Sequence, residues 1–117
     1  MFQIFSNNKS DSNEVIKNIS ANELDEYLNL AETIVLDVRT EQEFKRGHLQ
    51  NALNIDFYNP KFPTLLDQLD KGKRYLVYCH SGSRSLSALK IMYQKGFTNV
   101  VNLSGGISNI NPSLLQI

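Results

Sequence analysis

Two short runs, Ile34-Val35-Leu36-Asp37-Val38 and Tyr75-Leu76-Val77-Tyr78, constrain this chain more than any other feature of it. Each has the length of a strand and is apolar on successive residues rather than on alternate ones, the pattern of a strand covered on both faces. Such strands need helical layers above and below, and the segments between them supply helical spacing. Ser20-Ala21-Asn22-Glu23 has the Ser-x-x-Glu form in which each end caps the other's free amide, and with Leu24, Tyr27 and Leu28 it predicts a helix over 21–30. Thr40-Glu41-Gln42-Glu43 repeats that form, with Gly47 as the stop of a short helix. Leu53 to Asp56 reads as a short strand, Phe62 to Leu69 as a helix with Pro63 in its first turn, and Asp70 to Lys73 as a turn. Ser85 to Lys95 carries Leu86, Leu89, Ile91, Met92 and Tyr93 at helical spacing, and Asn99 to Leu103 is a last strand before Gly105-Gly106. Alternation with short links predicts an α/β fold: one domain, a central parallel sheet and helices on both faces.

The 117 residues, 41% of them apolar, suit one core. Residues 6–14, SNNKSDSNE, are polar and turn-prone, so residues 1–14 are read as a flexible lead-in and 15–117 as the domain. Twelve Lys and Arg balance twelve Asp and Glu, leaving no long-range field to draw nucleic acid or an anionic membrane. No apolar run is long enough to span a bilayer, and the start of the chain lacks the basic and apolar regions of a secretory signal, so a cytoplasmic setting is expected. The single cysteine forms no internal disulfide and no Cys-rich metal site. No metal and no organic cofactor is expected.

That cysteine, Cys79, ends the best strand of the chain and is followed by small residues that run into a helix. Ligands of open α/β sheets bind beyond the carboxyl ends of strands, where helix amino termini present free amides. A loop of His80, Ser81, Gly82 and Ser83 can turn several amides toward the sulfur, with the dipole of the helix from Ser85 adding to the field. In such surroundings a cysteine pKa falls from about 8.5 into the range of roughly 3.5 to 7.5, so the thiolate is ready at neutral pH. Arg84 carries a planar fork suited to an oxyanion such as a sulfonate. A lone strand cysteine is more often a small buried hydrophobe. A purely structural one, however, needs neither a glycine, two serines nor an arginine placed immediately after it.

YCHSGSRS resembles the active-site segment of the rhodanese family, a six-residue loop that begins with the cysteine and runs into a helix. VLDVRTEQEFKRGHLQNALNI is similar to that family's first motif and NVVNLSGGI to its closing one, so the resemblance covers about Ile19 to Ile107. It implies a single rhodanese-like domain and a ping-pong thiosulfate sulfurtransferase. Cys79 would take a sulfane sulfur from thiosulfate or a related persulfide donor, then pass it to a thiol, to cyanide, or to a protein acceptor. The amides of His80 to Arg84 would stabilise the persulfide, and Arg84 would hold the sulfonate. Asp37 and Arg39 match the family's Asp-x-Arg block and would brace the loop; Ser85 is a further supporting residue. Glu43 is read as a helix cap and Arg39 partner, His48 as structural, and His80 is given no catalytic role. Gly105 and Gly106 are expected to allow close backbone approach near the site. Two positions depart from the pattern: Ile110 lies where many relatives carry tryptophan, leaving the packing of the tail open, and Asp56 stands where relatives often have proline.

Two rivals remain at this stage. A thiol-dependent phosphatase or arsenate reductase would use the same chemistry, but those enzymes space the pair as Cys-x5-Arg, whereas four residues separate Cys79 from Arg84. A non-turnover persulfide carrier or protein-binding module shares the first half-reaction and is separable only by turnover.

Overall fold

A computed structural model describes residues 16–117; the expected lead-in and Val15 lie outside the described residues. In chain order the elements are β1 (Lys17–Ile19), α1 (Leu24–Leu28), β2 (Thr33–Asp37), α2 (Glu41–Lys45), β3 (His48–Leu49), β4 (Leu53–Asn54), α3 (Phe62–Leu66), β5 (Arg74–Tyr78), α4 (Ser83–Gln94), β6 (Asn99–Leu103) and β7 (Leu115–Gln116). Tight 3-10 turns occupy Ala21–Glu23, Gly106–Asn109 and Pro112–Leu114.

Five strands form one sheet in the order β1-β6-β5-β2-β4 with every pairing parallel. This is the expected α/β architecture. The chain adds β4 on one side of β2, then crosses through α3 to place β5 on the other, so the direction of strand addition reverses beside the end of β5. Register lines Asp37 up with Tyr78, and Val77 with Asn102. The exits of β2, β5 and β6 therefore open at one end of the sheet, the position at which such folds bind ligands.

Successive residues of β5 divide between two cores, as the period of a strand requires. Tyr75 and Val77, followed by Cys79, pack with Phe62, Leu66, Leu89 and Met92 of α3 and α4. Leu76 and Tyr78 pack on the opposite face with Leu24, Leu49 and Ile110. Both faces of the sheet are thus covered, and Leu36, Leu76, Val77 and Tyr78 have no exposed surface.

Several element bounds differ from those expected. The helix predicted over 21–30 is a 3-10 turn followed by the five residues of α1, and α3 stops at Leu66 rather than Leu69. α4 begins at Ser83 because Gly82, at φ 110°, takes the cap position that a side chain would strain. β1 and the antiparallel pair β3–β7 have no counterpart in the hydrophobic pattern; β1 owes its state to β6, on which Ile19 pairs with Leu103. The tail is anchored by Ile110, buried in the core where relatives carry tryptophan, and by β7 pairing back onto β3.

Candidate active site

Cys79 follows β5 directly and is 1% exposed. The turn after it is tight: the amide of Gly82 donates to Sγ at 3.1 Å and that of Ser85, in the first turn of α4, at 3.4 Å. The Ser85 hydroxyl stands 3.5 Å from Sγ. Burial by itself pushes the thiol upward, but the Ser85 hydroxyl and the amides of Ser85, Gly82 and Ser81 outweigh it and hold the pKa below the ordinary thiol value. The geometry brings Ser81, Gly82 and Ser85 to the sulfur. His80 turns its side chain to solvent and lines a neighbouring cavity of about 340 Å³ with Arg39, Glu43, Arg46, Ile107 and Leu115. Ser83 is exposed at the start of α4.

The turn is clamped from behind by the paired glycines. Ile107 N donates to Cys79 O at 3.1 Å and Ser108 N to His80 O at 3.0 Å. Gly106 lies so close that a Cβ there would fall 2.5 Å from Cys79 O and would also strike the His80 carbonyl. The close approach expected of Gly105-Gly106 is therefore a contact with the loop backbone itself.

Arg84 is not free. Its Nη1 donates to Glu43 Oε1 at 2.8 Å and its Nη2 to Glu43 Oε2 at 3.0 Å, a parallel fork-to-fork pair. The Tyr58 ring covers the guanidinium at 5.5 Å from its centroid. Glu43 also caps α2, accepting from Thr40 N and Oγ1 at 3.1 Å each, while Thr40 Oγ1 accepts from Glu43 N at 3.2 Å. The Arg84 guanidinium, with Thr40 assisting, holds the Glu43 carboxyl down at about 2 despite partial burial. The expected pairing of Glu43 with Arg39 is thus replaced by one across 41 residues of sequence.

Arg39 instead wraps the fully buried Asp37. Nε lies 3.1 Å from both carboxylate oxygens, Nη2 donates to Oδ2 at 2.8 Å and the Arg39 amide to Oδ1 at 2.8 Å. A second bond from Nη2 reaches Gly47 O at 2.7 Å, and Asn54 Nδ2 donates to the carbonyls of Asp37 and Arg39. This answers the need of a buried acid for partners. The bracing expected of the catalytic loop falls instead on the exit of β2 and the Gly47 corner. His48 stacks on Phe44 at 3.8 Å, with Nδ1 2.9 Å from Phe44 O, so its role is structural.

Two residues escaped the sequence reading. Asn102, buried in β6, accepts from Ser85 Oγ at 2.6 Å and donates through Nδ2 to Asn18 Oδ1 at 2.8 Å, which turns its carbonyl oxygen toward Ser85. A lone amide in the run VVNL was the available signal. Tyr58 stands over Arg84 because Asp56 Oδ1 accepts from Tyr58 N at 2.8 Å and Asp56 O from Asn59 N at 3.0 Å, a turn that proline at 56 would not cap.

Among the described residues no cluster of His, Cys, Asp and Glu is placed to hold a metal, and no helix is long and apolar enough to cross a membrane. The family described as Rhodanese-like domain matches residues 20–112. A curated relative, the tRNA uridine(34) hydroxylase of Erwinia tasmaniensis, is 34% identical over 101 residues, covering 83% of this chain and 29% of that protein. The chain thus spans under a third of the length of the curated relatives it matches. Among solved structures, a rhodanese-like domain protein from Staphylococcus aureus is 28% identical with a TM-score of 0.77, over 87% of this chain and 98% of that one. A protein from Staphylococcus saprophyticus shows the same identity and TM-score over 87% of this chain and 100% of its own. The match supports sulfur-transfer chemistry in general, and over most of its length the chain belongs to the rhodanese-like domain family.

Proposed function

We propose that this chain is a sulfurtransferase in which the Cys79 thiolate accepts a sulfane sulfur and passes it on. The observation that carries the reading is the ring of donors at Sγ, the amides of Gly82 and Ser85 at 3.1 and 3.4 Å, which favours an anionic sulfur without a paired base. With thiosulfate, the thiolate attacks the outer sulfur, a new S–S bond forms on Cys79, the S–S bond of the donor breaks and sulfite leaves with the electron pair. With an organic persulfide the same attack releases a thiolate. In the second half an acceptor thiolate or cyanide takes the outer sulfur and Cys79 departs as thiolate again. The loop amides stabilise charge in both halves.

A thiol that works reduced fits a cytoplasmic setting, and residues 15–117 are proposed as the functional domain, with 1–14 as its lead-in. Hydroxylation belongs to the name of the longer relatives; a small sulfur donor with a thiol, cyanide or protein acceptor is the partner set proposed here. The intact mass of the protein after incubation with thiosulfate or an alkyl persulfide tests the reading. One sulfur gained by wild type, none by Cys79→Ala or Cys79→Ser, and its loss on adding cyanide or a thiol are expected. No gain from either donor, with the protein folded and the thiol intact, overturns it. Multiple turnovers with small thiols separate an enzyme from a dedicated carrier.

A further inference from the structure

The partners of Arg84 bear on which donor the loop accepts. An unpaired arginine here would offer its fork to a sulfonate, but both Oε atoms of Glu43 already fill that fork at 2.8 and 3.0 Å. The two side chains are only 17% and 26% exposed, so solvent screens them poorly. Glu43 cannot swing aside without breaking its two bonds from Thr40, and with them the cap of α2. Tyr58 occupies a face of the guanidinium. The other arginines nearby do not replace it: Arg39 is committed to Asp37 and Gly47, and Arg46 is exposed, where its charge is screened. The Arg84–Glu43 pair is neutral as a whole. What remains positive around Sγ is a set of backbone amides, matched to the one charge of a thiolate or persulfide.

We propose that Glu43 sets the donor class of this site, and that by clamping Arg84 it selects organic persulfides of low charge over dianionic donors such as thiosulfate. The proposal rests on the reading of Cys79 as the sulfur-accepting thiolate. For the favoured donor, Cys79–S⁻ attacks the terminal sulfur of R–S–SH; the S–S bond breaks, R–S⁻ leaves with its electron pair, and the proton stays with the transferred sulfur as Cys79–S–SH. No other reactant is needed. For thiosulfate the approaching dianion meets a fixed carboxylate beside the loop. Glu43 stays ionised down to about pH 2, so working pH does not relieve the repulsion.

The test compares kcat/KM for thiosulfate and for the persulfide of an uncharged small thiol, 2-mercaptoethanol, in wild type and Glu43→Gln. Glutamine preserves the cap of α2, since either residue serves at that position. The ratio of thiosulfate to persulfide efficiency is expected to rise at least about tenfold in the variant, the ordinary size of one lost charge repulsion at a partly buried site. A second measurement uses wild type alone: raising ionic strength from about 0.05 to about 0.5 M should improve thiosulfate use and leave the neutral donor unaffected. Equal movement of both donors in Glu43→Gln overturns the proposal, as does salt that weakens thiosulfate use in wild type. Loading of Cys79 from either donor, read by intact mass, shows that such a failure concerns Glu43 and not sulfur transfer; loading from neither overturns both.

Discussion

At the scale of single residues, Ser85 holds three relationships with one proton. Its Oγ is 2.6 Å from Asn102 Oδ1, 3.1 Å from Gly82 O and 3.5 Å from Cys79 Sγ. Because the net shift of Cys79 is downward, the reactive thiolate forms below the ordinary thiol pKa of about 8.5. The loading rate should rise as pH passes upward through that lowered value and stay flat above it. Ser85→Ala removes one donor to the sulfur and should move the midpoint up by roughly half to one unit, read from single-turnover loading against pH; an unmoved midpoint would leave the effect to the amides alone. The partners of Asp37 were legible in general terms, because an acid in a buried strand must be bonded. That Glu43 would meet Arg84 was not, since the two are brought together by the approach of α2 to the first turn of α4, across 41 residues of sequence.

At the scale of elements, the parts read from sequence are those whose signal is local. β5 is a continuous apolar run, and the Thr40–Glu43 capping box forms as its residue types dictate. β1, β3 and β7 have two or three residues each, with Lys17, Asn18 and Gln116 exposed, and exist as strands only through their partners. The start of α4 shifted because the sulfur-binding turn is closed by the left-handed Gly82, which the spacing of Leu86 and Leu89 does not reveal. The contact between that turn and the paired glycines gives an element-scale prediction. Gly106→Ala puts a methyl into the carbonyls of Cys79 and His80, at a φ of 61° that alanine adopts with strain. A loss of roughly 2–4 kcal/mol in urea unfolding is expected, together with a slower loading rate, because the loop must retreat from α4 to make room. A stable variant with unchanged loading would show that the clamp does not set the loop.

At the scale of the whole molecule, β5 joins the two cores and carries the nucleophile at its end. Leu76 has no exposed surface and belongs to the core opposite α4. Leu76→Ala should cost about 2–5 kcal/mol, seen as a lower urea midpoint with the slope retained, while the amides around Sγ, built from the other face, keep their geometry and the loaded mass is unchanged. The depth of Sγ has a consequence for traffic. The lone thiol of the chain lies 1% exposed at the floor of a narrow well, so two copies cannot bring their sulfurs to bonding distance and air should not crosslink them. Entry is by single file: slender reagents with a sulfur or carbon at the tip reach the floor, branched ones stop at the rim, and the cargo leaves only when something equally slim comes to fetch it.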